Sequence, residues 1–317
     1  MRNYTVDTDL ERKIGERSHG IKGPLLIVMG QIHGNEPAGS LALQALFRMI
    51  DWEFRKNPAF SYRGKLVGLR GNLGAIQAGE RYVKQDLNRI WKPRHLIDIL
   101  SKPLEALTDE EKECRMVHDA IRREIQVYQP SQVFLLDIHT TTATGGIFLI
   151  PPPDSHALAI AQTLHAPIVK GMIGALKGTL VEYAETDPWG VPTDALVFEA
   201  GQHHAPIAVD NAISAIVGTM RALGMLDVDD VEHAHDEKLQ VWSSKLPKVT
   251  QLIYRHSITP EDGFKMLPGF KNFVPVKKDQ LLAHDKRGEV CAPEDGYILM
   301  PLYQRQGEDG FFLLADV

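Results

Sequence analysis

Two short motifs carry residue types that together do metal chemistry. The first is Gly30-Gln-Ile-His33-Gly-Asn-Glu36, and the second is Leu-Leu-Asp137-Ile-His139-Thr-Thr-Thr. Two imidazoles and one carboxylate are the protein's share of an open catalytic zinc site, which leaves a further position for water or substrate. Each motif follows an apolar run that reads as a buried strand. If the two strand ends meet, His33, Glu36 and His139 hold one metal and the implied chemistry is metal-assisted hydrolysis. Each residue has a plainer reading when taken alone. Glu36 favours a helix N-terminus, and His139 is a satisfied buried histidine.

Glu199 closes a third apolar run, Asp194-Ala-Leu-Val-Phe-Glu199. A carboxylate there is costly to bury without a partner. Beside a metal-activated water it could act first as general base and then as general acid toward the leaving amine. Asp137 lies two residues before His139 and on the same strand face, where it can orient a ligand or simply cap the sheet. Asp86-Leu-Asn88-Arg89 is a compact polar loop cluster. Arg89 can fork a carboxylate and Asn88 can add a directed hydrogen bond, with Asp86 as a supporting residue. The alternative is a loop salt bridge between Asp86 and Arg89. Arg81 could polarise a carbonyl or hold a second carboxylate. His203 and His204 fall outside the ligand pattern, in supporting or surface roles. His233 and His235 sit in an acidic stretch and are expected to be solvated.

The elements that must position these residues alternate between strand and helix. Pro24 to Gly30, Lys65 to Leu69, Val133 to Ile138, Ile147 to Ile150 and Asp194 to Glu199 read as strands. Helices are expected over about Pro37 to Met49, 109 to 128 and Pro206 to Leu223. Pro37 suits the first turn of its helix. This alternation predicts an α/β fold, a mainly parallel mixed sheet flanked by helices. Ligands of such sheets bind beyond the carboxyl ends of the strands, which is where His33, Glu36, His139 and Glu199 all fall. After Met225 the composition shifts. An acidic stretch gives way to short β-type runs at Val249 to Tyr254, Phe273 to Val276, Leu281-Leu282, Tyr297 to Leu302 and Phe311 to Leu314. The expected organisation is a catalytic domain over 1–225, a linker or surface stretch over 226–246, and a small all-β domain over 247–317.

With 317 residues the chain can bury a large core without disulfide staples. Its two cysteines, Cys114 and Cys291, are too few and too far apart for a disulfide framework, which suits a reducing cytoplasm. The net charge of −6, with acids and bases well mixed, argues against a nucleic-acid surface. The first residues have no apolar signal core, and no uncharged apolar run reaches membrane-spanning length.

The motifs, taken in order, resemble the succinylglutamate desuccinylase/aspartoacylase family, which is related to zinc carboxypeptidases. The resemblance rests on Gly-x-x-His33-Gly-Asn-Glu36, Gly-Asn72 through Arg81-Tyr82, Asp86-Leu-Asn-Arg89, Asp-Ile-His139-Thr-Thr and Phe-Glu199-Ala-Gly, over about residues 25 to 205. It implies a zinc carboxypeptidase-like fold and one zinc per chain held by His33, Glu36 and His139. It also implies Glu199 as general acid/base, with Asn88 and Arg89 on a substrate carboxylate. The substrate so implied is a small acyl amide bearing a carboxylate. A carboxypeptidase-like peptidase or an esterase would use the same site, and a non-catalytic metal-binding protein is the alternative outside enzymes. Iron, cobalt or manganese also suit such ligands. A homo-oligomer is compatible with the sequence. One departure stands out. Where aspartoacylases read Asn-Pro-Arg-Ala, this chain reads Asn72-Leu-Gly74-Ala75, so the arginine position is Gly74. The segment Gly79-Glu-Arg81-Tyr82 instead resembles the desuccinylase branch. The stretch from Tyr183 to Trp189, where an acyl-gripping segment would lie, matches no pattern. The C-terminal hairpin around Val-Cys-Ala-Pro is similar to lipoyl-type barrels, with Lys286 expected to be a surface hairpin residue.

Overall fold

The computed structural model describes residues 10–227 and 234–317. His233 lies outside the described residues. The first strands are β1 (Lys13–Ser18), β2 (Ile21–Gly30) and β3 (Arg63–Arg70), with helices α1 (Ala38–Lys56) and α2 (Leu73–Ala78) following β2 and β3. Two helices then cover the sheet, α3 (Pro93–Ser101) and α4 (Asp109–Tyr128), ahead of β4 (Val133–Thr141) and β5 (Phe148–Ile150). The chain continues through α5 (Ala157–Thr163), β6 (Ile168–Lys170), α6 (Met172–Leu176), α7 (Leu180–Ala184), β7 (Thr193–Gln202) and α8 (Pro206–Ala222). Strands β3, β2, β4 and β7 lie side by side in parallel, as expected for a sheet fed by helical crossovers. β1 adds an antiparallel edge, and β5 runs antiparallel to β7.

The apolar runs explain why the sheet is covered on both faces. Leu25 to Met29 and Val133 to Leu136 are wholly buried, the mark of parallel strands packed on two sides. Alternation sends Leu26, Val28, Phe134 and Phe198 into one core with α1, α5 and α8. Leu25, Ile27, Leu135 and Val197 go into a second core with α3, α4, α6 and α7. A capping box between Thr108 and Glu111 starts α4 at the expected residue.

The C-terminal part adds α9 (Ala234–Ser243), β8 (Val249–Ser257), β9 (Lys265–Met266), β10 (Val274–Val276), β11 (Leu281–Asp285), β12 (Gly288–Cys291), β13 (Gly296–Leu299) and β14 (Asp309–Asp316). β9, β11 and β12 form a small separate antiparallel sheet. β8, β14, β13 and β10 extend the main sheet, because β8 pairs in parallel with β6. β14 serves two cores by simple alternation. Phe312 and Leu314 face the second core, while Phe311 and Leu313 face a third that includes Val276 and Leu282.

Several local expectations shift. β4 and β7 each run three residues beyond their apolar stretches because His139 pairs in register with Glu199 and the ladder continues to Thr141 and Gln202. Both residues are therefore within strands rather than past their ends. Part of the acidic stretch is helical: α9 buries Leu239, and Nδ1 of His235 lies 3.1 Å from Oγ of Ser214 on α8. His235 is thus half-buried and bonded rather than solvated. No helix among the described residues is long and apolar enough to cross a membrane.

Candidate metal centre

The loop after β2 is built to double back. Gln31 adopts a left-handed backbone (φ 56°), and its side-chain amide donates to the Gly34 carbonyl at 3.1 Å. Gly34 donates its own N–H to the Arg81 carbonyl at 3.1 Å, and a Cβ there would stand 2.2 Å from the Ala75 carbonyl carbon. Only glycine fits this approach to α2. The Glu36 N–H then closes on the His33 carbonyl at 3.2 Å, which stacks residues three apart. Nδ1 of His33 lies 2.9 Å from Oε1 of Glu36, and Nδ1 of His139 lies 3.2 Å from Oε2. The ligand atoms of His33, Glu36 and His139 all fall within 4.8 Å of one another, and all three residues are buried. This is the convergence that the two motifs require.

The donor set fits a metal beyond mere proximity. Nε2 of His33 lies 3.0 Å from Asp86, and Nε2 of His139 lies 3.0 Å from Asp137. Each Nε2 thus faces a carboxylate that can hold its proton, and each Nδ1 faces the shared point at Glu36, where a bound metal would take the place of a proton. Carboxylates behind both imidazoles are the arrangement that fixes ring orientation and strengthens a metal ligand. Asp137→Asn and Asp86→Asn should each weaken metal affinity by roughly 10- to 100-fold with the fold intact. Competition against a metallochromic chelator measures this, and unchanged affinity would deny both residues that role.

The charges inside this centre balance locally. Burial alone would raise the Glu36 carboxyl, but the His33 charge and hydrogen bonds from both imidazoles hold it well below the usual carboxylate range. Its Oε2 also accepts the Thr140 N–H at 2.8 Å. Burial is likewise overcome at Asp86, by Arg81 and His33, and that carboxyl too is held well below its ordinary value. His139 is pushed the other way. Burial disfavours its charged form, yet Asp137 and Glu36 raise it well above an ordinary imidazole.

Glu199 stands next to His139 across the β4–β7 ladder. It is 3% exposed, and its Oε2 has no hydrogen-bond partner. Burial pushes its carboxyl up to about 8, opposed by the His139 and Arg81 charges and reinforced by those of Glu36 and Asp137. A cation held at Nδ1 of the two histidines would draw it back toward neutrality by the same Coulombic rule. An unpartnered, proton-ready carboxyl facing this centre is suited to moving a proton.

These residues line a solvent-open cleft together with Arg81, Asn88, Arg89, Thr140 and His203. Arg81 donates to Asp86 at 3.0 and 3.2 Å and to Glu36 at 3.2 Å, so it clamps the loop to the metal centre. Asp86 pairs with Arg81 and His33, not in a loop salt bridge with Arg89, and it accepts the Asn88 N–H at 2.8 Å. The Asn88 side-chain carbonyl accepts from the Leu180 N–H at 2.9 Å, while its amide lies 3.5 Å from His139. Buried Glu110, on α4, takes the N–H groups of Val83 and Lys84 and steadies the loop that carries Arg81. His203 is buried on the cleft wall with Nδ1 2.7 Å from Thr140, whereas His204 is exposed. Gly74 sits at Glu113 and is not part of the cleft wall. In the unmatched segment, Tyr183 packs among Trp91, His118 and Trp189 in an aromatic cluster and does not line the cleft.

The sequence reading missed the loop before β14. Its Gln304 accepts from the Asn35 side chain at 2.9 Å, and Gln306 bonds both the N–H and the carbonyl of Tyr82. Glu308 and Asp309 reach Arg89 at 3.5 and 3.4 Å. These contacts bring C-terminal residues onto the cleft rim. No motif marks them, since their only signal is contact across most of the chain length.

Comparison with known proteins agrees with this geometry. A family model described as the succinylglutamate desuccinylase/aspartoacylase catalytic domain matches residues 22–216. A probable aspartoacylase from Acaryochloris marina is 29% identical over 46% of this chain and 45% of its own length. A succinylglutamate desuccinylase from Pseudomonas aeruginosa is 39% identical over 26% of this chain and 22% of its own length. The matched region thus spans less than half of either curated relative. Among solved structures, succinylglutamate desuccinylase from Vibrio parahaemolyticus aligns with a TM-score of 0.60 at 17% identity, covering 95% of this chain and 83% of that one. A product-bound ectoine utilization protein from Ruegeria pomeroyi aligns with a TM-score of 0.63 at 17% identity, covering 95% and 87%. At that identity the structural likeness speaks for the fold, while the family model covers most of the chain and the whole of the metal centre. The chain belongs to the succinylglutamate desuccinylase/aspartoacylase family.

Proposed function

We propose that this protein is a zinc-dependent amidohydrolase that removes the acyl group from a small N-acyl amino acid or similar amide. The observation that carries the reading is the buried His33–Glu36–His139 cluster with an unpartnered Glu199 carboxyl beside it. Family membership supports a metal-dependent hydrolase, and the relatives' names, desuccinylase and aspartoacylase, are those of deacylating enzymes.

A zinc ion bound by His33, Glu36 and His139 would supply Lewis acidity, lowering the pKa of a water toward neutrality and polarising the amide carbonyl. The remaining work falls to the chain's own groups. Glu199 accepts the water's proton at Oε2 and delivers it to the leaving nitrogen, so one carboxyl serves as base and then as acid. Asp86 and Asp137, each 3.0 Å from an imidazole Nε2, would hold the rings with Nδ1 toward the metal. Asn88 and Arg89 orient the substrate through a carboxylate, which spends binding energy on alignment. Gln304, Glu308 and Asp309 from the C-terminal part line the same cleft, which supports a small amide over a peptide chain as the substrate. The free cysteines support a reducing cytoplasm. The division into a catalytic unit (1–225), a connecting stretch carrying α9 (226–246) and a small β unit (247–317) is proposed alongside, on the separate third core.

Metal analysis of protein purified without added metal, with a panel of N-acyl amino acids assayed before and after chelation, tests the reading. About one zinc per chain and chelator-sensitive, zinc-restored release of free amine are expected for a single open site. A chelated protein that remains as active as the loaded one would overturn it.

A further inference from the structure

We infer that the cleft selects an N-acyl amino acid with a single carboxylate and an apolar side chain, rather than a dicarboxylic substrate. The inference concerns the substrate of the proposed hydrolase site and rests on that reading for its chemistry, though not for its binding preference.

The charges in the cleft can be followed one by one. Among the described residues lining it, Arg81 and Arg89 carry the permanent positive charges. Arg81 spends its guanidinium on Asp86 and Glu36. Arg89 donates to the Asn88 carbonyl at 2.8 Å and approaches Asp309 and Glu308 from its other nitrogens. Asp309 is shared with Arg255, 2.5 Å away, and Glu308 is half exposed. Arg89 is less committed than Arg81: its carboxylate contacts are long, at 3.4 and 3.5 Å, and its Nε has no hydrogen-bond partner, which leaves it able to take one incoming carboxylate. A second carboxylate finds no further cation among the described lining residues and meets Glu308 and Asp309 there, which repel it.

Threonines, His203 and Gln304 also line the cleft, but one sector of its wall is wholly apolar. Val197 lies two residues before Glu199 on the same face of β7, so the apolar surface begins directly below the general acid/base. Ile150 pairs with it across β5, and Met172, Ile173, Leu176 and Phe312 complete the wall. A carboxylate pressed against this surface would lose its hydration without replacement.

The apolar wall and Arg89 serve the same substrate fragment because they are mechanically joined. The chain from α6 to α7 is seated on the 88–91 segment. Asn88 accepts from the Leu180 N–H, and Gly178 accepts from the Trp91 N–H at 3.1 Å. Gly178 has a left-handed backbone (φ 74°), and a Cβ there would meet the Arg89 carbonyl oxygen at 2.4 Å. Arg255 donates to the Ala175 carbonyl while pairing with Asp309, so α6 is tied to the ion pair that flanks Arg89. One amino-acid fragment can thus place its carboxylate on Arg89 and its side chain against α6.

The test uses binding, which does not depend on turnover. N-acetyl-L-leucine, N-acetyl-L-methionine, N-acetyl-L-aspartate and N-succinyl-L-glutamate are titrated calorimetrically into the zinc-loaded Glu199→Gln protein. The leucine and methionine derivatives should bind at least about tenfold more tightly than the two acidic ones, the scale on which an apolar pocket discriminates. Leu176→Arg, at a half-buried position that admits a longer side chain, should shift the preference toward the acidic ligands. Leu176→Ala should weaken the apolar ligands alone. Equal or tighter binding of the acidic ligands, or no binding of any of the four, overturns the inference. Turnover of the same panel by the unsubstituted zinc-loaded protein separates the two readings. An apolar preference in binding with no amide hydrolysis would leave the pocket assignment standing and sink the hydrolase. Hydrolysis favouring the acidic substrates would do the reverse.

Discussion

Replacing Glu199 by Gln is expected to lower kcat by roughly 10²- to 10⁴-fold, the usual contribution of a positioned general acid/base. Metal content should stay at one per chain, because Glu199 is not among the converging ligand atoms. The substitution is nearly isosteric, so the β4–β7 ladder and the packing of Val197 and Phe198 should survive it. What is lost is a single proton-accepting oxygen. Oε2 has no partner within the protein, so no other hydrogen bond is broken by the change. Metal analysis and single-turnover assays on the same preparation check both halves of the claim. Retained kcat would mean that the proton travels by another group, and the role assigned to Glu199 would fall.

Glu36→Gln should have a comparably large effect by a different route, through metal affinity. Glu36 is the piece common to both imidazole contacts: its two oxygens face the Nδ1 atoms of His33 and His139. It also anchors the site to the chain through the Thr140 N–H and the Arg81 guanidinium. Gln keeps the shape but replaces an anionic ligand with a neutral amide, and leaves Arg81 facing it without that counter-charge. Metal affinity should fall by more than the roughly 10- to 100-fold expected for the carboxylates behind the histidines. Activity should fall with it and return only at high zinc. Equilibrium dialysis against buffered zinc gives the affinity directly, and wild-type affinity in this variant would remove Glu36 from the ligand set.

The contrast between the two substitutions reflects how differently the site's parts are recorded in the sequence. The converging His33–Glu36–His139 cluster was legible because its spacing is local. His33 and Glu36 are three apart in a loop that a glycine allows to close, and Asp137 and His139 are two apart on one strand face. The strands that carry them were legible too, since fully buried parallel strands leave uninterrupted apolar runs. The apolar stretch of β4 stops at Ile138, yet the strand continues to Thr141. The extra pairing comes from β7, which cannot be seen within that segment.

The sequence by itself determined that this chain forms an α/β sheet with His33, Glu36, His139 and Glu199 at or near the carboxyl ends of its strands. Periodicity and the topology of parallel sheets are short-range rules, and they suffice for that much. Only the tertiary structure decided how the remaining charges are paired. Asp86 stands behind His33, Arg81 is committed to Asp86 and Glu36, and Arg89 meets Asp309 from the far end of the chain. It also decided that β5, β7, α6 and β14 together make one apolar wall, and that the C-terminal strands continue the main sheet through β6 and β8. The physical reason is the same throughout. A residue's type limits what chemistry it can do, but its partner is set by register and packing between segments distant in sequence, and no local pattern encodes those.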